Sequence, residues 1–95
     1  MKASVTWWDL TESGQTIDSL GEYLREEGVA PWVSVPGLRL KFWIADRAGN
    51  RWGAVMLWDT DDIDPGVLPP HKAQELIGYP PQHRMRFDVE AVVHG

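Results

Sequence analysis

Residues Val35 to Asp62 read VPGLRLKFWIADRAGNRWGAVMLWDTDD, and the alternation within them decides the fold class. The period is two on both sides of a turn-rich centre, which is the pattern of a β-hairpin. In the first arm Leu38, Leu40, Phe42 and Ile44 fall on one face, with Arg39, Lys41 and Trp43 on the other. In the second arm Val55 and Leu57 oppose Trp52, Ala54, Met56 and Trp58. The turn Asp46-Arg47-Ala48-Gly49-Asn50 holds a Gly and an Asn, which accept positive φ at little cost. The first face suits a core. The second mixes positive charge, indole and thioether, too polar for a plain core and too aromatic for a plain solvent face. A functional site is expected there.

Outward from the hairpin, residues 3–10 (ASVTWWDL) alternate as a strand, with Val5 and Trp7 opposite Ser4, Thr6 and Trp8. From Thr16 the period becomes helical. Ile17, Leu20 and Leu24 share one face, Thr16 is placed as N-cap, and Gly28 is placed to end the helix. After the hairpin comes the acidic run Asp59 to Asp64, then a proline-rich segment. A short helix is predicted from about Pro70 to Ile77, closed by Gly78. The last strand, 84–93 (RMRFDVEAVV), sets Met85, Phe87, Val89 and Ala91 against Arg84, Arg86, Asp88 and Glu90.

The order β-α-β-β-α-β predicts one α+β domain over residues 1–95, ferredoxin-like, with both helices on one face of a four-stranded antiparallel sheet. The helices are expected over the Leu38–Ile44 face. The other face, with Arg39, Lys41, Trp43, Trp52, Met56, Trp58, Arg86, Asp88 and Trp8, is then left open. Apolar surface of that kind is an association site. A second copy of the same sheet is the simplest cover, giving a homodimer with cavities between the facing sheets.

The net charge of -5 argues against nucleic-acid and anionic-membrane partners, which need basic surfaces. There is no cysteine, hence no disulfide framework and no thiolate chemistry, as suits a soluble cytoplasmic protein. No apolar run approaches a membrane span. Six tryptophans are more than one small core holds, so some are expected at a pocket or subunit interface.

The run VPGLRLKFW, the small-residue strand RWGAVMLW followed by acids, and the final MRFDVE strand resemble the dimeric α+β barrel superfamily. Within it the likeness is to the YdhR-like monooxygenases, which share a Pro-Gly entering the second strand and a Phe-Asp-Val in the last. Here these are Pro36-Gly37 and Phe87-Asp88-Val89. The resemblance implies a homodimer and cofactor-free oxidation of an aromatic or quinol-like substrate. It carries over no catalytic residue, and the prolines at 65, 69, 70, 80 and 81 depart from the family's second helix.

Such chemistry needs a base, a dry aromatic pocket and a cation beside the substrate anion. His71, His83 and Asp88 are the candidate bases. Trp8, Trp43, Met56 and Trp58 are candidates to hold a ring, and Arg39, Lys41 and Arg86 to hold the anion. The same side chains also read as a plain interface, with Arg86–Asp88 and Lys41–Glu90 as ion pairs. A non-catalytic binding protein using the same cavity is the other functional alternative. His71, His83 and His94 have no metal-ligand spacing, and Asp59, Asp61, Asp62 and Asp64 do not fit a calcium loop. No metal or cofactor is expected.

Overall fold

Strand pairing sets the frame on which every other element sits. The computed structural model describes residues Met1–Gly95. Its elements are β1 (Lys2–Asp9), α1 (Ile17–Tyr23), β2 (Leu38–Asp46), β3 (Arg51–Trp58), α2 (Lys72–Ile77) and β4 (His83–Asp88). The sheet is four-stranded and antiparallel in the order β2-β3-β1-β4, compatible with the ferredoxin-like arrangement. No helix is long and apolar enough to cross a membrane.

Local chemistry explains the boundaries. Thr16 accepts from the Ser19 backbone N–H while Ser19 accepts from that of Thr16, a capping box that starts α1. Beyond Tyr23 the helix widens into a π turn over Leu24–Gly28, closed by Val29 N–H donating to the Leu24 carbonyl. Gly28 lets the Tyr23 ring and the Leu24 side chain pack close to the backbone, since a Cβ would lie 2.8 Å from that ring. Gly78, at φ 97, ends α2 in the left-handed conformation. β4 stops at Asp88, short of the predicted Val93.

The core lies between sheet and helices: Trp8, Leu10, Leu20, Trp52 and Ile77, with Ile17, Leu24, Trp43, Ala73 and Tyr79 packed around them. Burying Leu20 completely is worth about 2 kcal/mol. Trp8 brings its N–H to the Tyr79 carbonyl at 2.9 Å, so its burial leaves no donor unpaired.

This core corrects the expected assignment of faces. The helices cover the face of Trp8, Trp43, Trp52 and Trp58, not the Leu40–Ile44 face. Leu40, Phe42, Ile44, Met85 and Phe87 are instead exposed on the open side, around Val5, Val55 and Leu57. A register shift between Leu38 and Leu40 adds a second correction. Leu38 pairs with Trp58 and joins the covered face, with Arg39 as the extra residue of a bulge.

Candidate functional site

Register lays out the covered face as rows running across the four strands. One row is Lys41–Met56–Ser4–Arg86, and the next is Trp43–Ala54–Thr6–Arg84. These rows floor a cavity of about 460 Å³ inside the protomer. Trp58 and Trp52 border the floor, and Tyr23, Trp32, Pro70 and His71 contribute to the walls and roof. A volume of this size suits a small organic ligand.

The cavity exists because the helices are too short to roof the sheet. α1 with its π turn, Ile17–Gly28, spans ~18 Å and the six-residue α2 ~9 Å, whereas an eight-residue strand such as β3 spans ~26 Å. The remaining length is covered by the Ala30–Trp32 turn, the proline-rich segment and the start of α2.

Lys41 is the most perturbed group. Its ammonium lies 3.1 Å from the centre of the Trp32 ring and 4.9 Å from that of Trp43. No carboxylate lies within ion-pairing distance, so burial pulls its pKa down from 10.5 to about 7. The two indole faces act in the opposite sense, favouring the charged form. Burial, then the nearby Glu27 charge, raises the Tyr23 phenol. The Ser4 hydroxyl is buried in the floor without a hydrogen-bond partner.

Of the residues singled out in the sequence, Trp8, Lys41, Trp43, Met56, Trp58, His71 and Arg86 all line this cavity. The other three do not. Arg39 turns outward to Asp59 at 3.4 Å. His83 lies on the opposite face, stacked on Trp7 with ring centres 3.7 Å apart. Asp88 is at the end of β4 in an exposed ion pair with Lys2, which holds its carboxyl below the usual carboxylate range. The expected pairs Arg86–Asp88 and Lys41–Glu90 do not form. This cavity lies within one protomer, on the helix side of the sheet.

Ser4, Thr6, Trp32 and Arg84 were missed. Arg84 was findable, two residues from Arg86 on one strand face. Trp32 was not, because it arrives on an aperiodic proline-containing turn. A smaller groove of about 290 Å³ lies on the open face beside Trp7 and Ile44, but its charged members Asp46 and Arg51 already satisfy each other. It offers no convergent chemistry.

No groups of three or more acidic or histidine side chains are placed to hold a metal ion. No protein-family model matches the chain, and no curated protein matches its sequence.

Proposed function

We propose that this chain is a cofactor-independent monooxygenase that oxidises a small aromatic, quinol-like compound in the cavity on the helix side of the sheet. The observation that carries the reading is Lys41, an amine held among indole rings, without a counter-ion and with a pKa of about 7. A base poised near neutrality can take a phenolic proton, and the ammonium it becomes then stabilises the phenolate. The tryptophan walls offer apolar faces on which the ring can stack.

The phenolate or enolate gives an electron to dioxygen, and the resulting pair joins at a ring carbon as a hydroperoxide. Loss of water leaves a carbonyl at that carbon. With anthrone the balance is anthrone plus dioxygen to anthraquinone plus water, one oxygen atom entering each product. His71 lines the cavity and is the candidate to relay the proton released. The resemblance to the dimeric α+β barrel monooxygenases supports the same reading.

The proposal includes a homodimer formed through the open sheet face. Its support is the apolar surface left there, with Leu40 51%, Phe42 45% and Phe87 49% exposed. This is the face opposite to the one expected from the sequence.

The test is oxygen uptake with anthrone in metal-free buffer. Consumption should exceed the uncatalysed rate, rise as pH passes through about 7 while Lys41 loses its proton, and vanish in Lys41→Met. Consumption equal to buffer alone, with naphthol still bound, would leave a non-catalytic binding protein in place of the enzyme.

A further inference from the structure

Charge is distributed unevenly between the cavity and the rest of the molecule. The chain has nine Lys and Arg against fourteen Asp and Glu, yet no carboxylate lines the cavity. Lys2, Arg39, Arg47 and Arg51 each pair with an acid on the surface, and Lys72, which also lines the cavity, pairs with Glu27. Of the four cations left unpaired, Lys41, Arg84 and Arg86 line the cavity, and only Arg25 lies elsewhere.

These three are not clustered. Lys41 is on edge strand β2 and the two arginines are on the opposite edge strand β4. Lys41 and Arg86 are the two ends of one row, with Met56 and Ser4 between them. Three strand spacings separate their backbones, ~14 Å. The Lys41 end is enclosed by indoles. The arginine end is exposed, with the unpartnered Ser4 hydroxyl beside Arg86.

We infer that the ligand of this cavity is an aromatic acid two or three rings long, its phenolic end at Lys41 and its carboxylate at the Arg84–Arg86 pair. This deepens the proposed function and rests on it for the role of the phenolic end. A guanidinium fork matches a carboxylate in two parallel hydrogen bonds. Placing that charge at the exposed edge spares it full desolvation, while the uncharged rings enter the indole-lined interior.

Calorimetric titration with 6-hydroxy-2-naphthoate and 2-naphthol tests this without requiring turnover. The carboxylated probe should bind about tenfold more tightly. Arg84→Gln with Arg86→Gln should bring it down to the affinity of 2-naphthol. Should that variant fail to fold, Arg84→Lys with Arg86→Lys keeps the charge and loses the fork, and the gap should narrow. Equal affinities in the native chain, a gap that survives the substitutions, or no binding of either probe would overturn the inference. An arginine-dependent gap without oxygen uptake on anthrone would remove the oxygenase and leave the aromatic-acid site standing. Uptake without a gap would do the reverse.

Discussion

On the covered face of the sheet Trp8, Trp52 and Trp58 are at most 7% exposed, whereas on the open face Leu40, Phe42 and Phe87 keep roughly half their surface. The more uniformly aliphatic face is the one left open. The helices sit over the mixed face, where indoles alternate with Lys41, Arg84, Arg86 and two hydroxyls. Coverage is therefore not set by average hydrophobicity. Large tryptophans bridge the distance to two short helices, and the polar side chains are tolerated because those helices leave a cavity rather than a packed layer above them.

The largest effect expected from this contrast is on association. If the open face is where two chains meet, Phe42→Asp with Phe87→Asp places a charge on each of its two edge strands. Dimerisation should weaken by about a thousandfold or more, seen in gel filtration as the mass of one chain. A native chain that runs as a monomer at micromolar concentration would break the comparison at once.

The same face should matter little to the fold of one protomer. In that monomeric background Trp52→Ala should cost about 3–5 kcal/mol in urea unfolding, while Leu40→Ala should cost roughly 1 kcal/mol or less. Similar losses at the two sites would mean that both faces are packed within a single chain. Gly53 sharpens the point from the backbone, since a Cβ there would lie 2.0 Å from the Thr6 carbonyl oxygen. Gly53→Ala should force β1 and β3 apart despite adding only a methyl group.

Alternation made the hairpin, β1 and most of β4 legible, and Thr16 and Gly78 marked helix ends through chemistry that acts locally. A period of two separates two faces but does not say which one the helices take. Average polarity pointed to the wrong one, because it took the charges of Lys41 and Arg86 as too polar for the helix side and gave that face to a partner subunit. The bulge at Arg39 was equally hidden: one extra residue moves Leu38 across the sheet without disturbing the pattern that precedes it. The members of the cavity were still largely readable, since Lys41, Trp43, Met56, Trp58 and Arg86 share a face whichever side is covered. Trp32 was not, for it comes from a turn whose position depends on the tertiary fold.

A buried amine gives the covered face a pH signature of its own. Lys41 has its pKa lowered from 10.5 to about 7, so between those values the unfolded chain holds a proton that the folded chain has released. Stability contributed by this group therefore rises with pH across that window, and its penalty is fully present below about 7. Lys41→Met should flatten the rise and stabilise the protein at pH 6 by on the order of 1 kcal/mol, a modest figure because the amine is only partly enclosed. A pH profile that keeps its slope in the variant would place the titration elsewhere.

The smallest effect is expected at Asp88, and it separates sequence neighbours that the structure places in different environments. Asp88 and Arg86 are two residues apart on one face of β4, yet Arg86 reaches the cavity while Asp88 is held by Lys2 at the strand's exposed end. Lys2 keeps the Asp88 carboxyl ionised below the usual range, so the pair's small stabilisation is present at neutral pH and is lost as pH falls through that lowered value. Asp88→Asn should then leave oxygen uptake and naphthoate binding within about twofold of the native chain, since an exposed pair is worth little and the base assigned to the reaction is Lys41. A large loss of turnover with naphthoate binding intact would instead return Asp88 to the reaction. It would also mean that the end of β4 folds inward when the ligand is bound, making the boundary between the two environments movable.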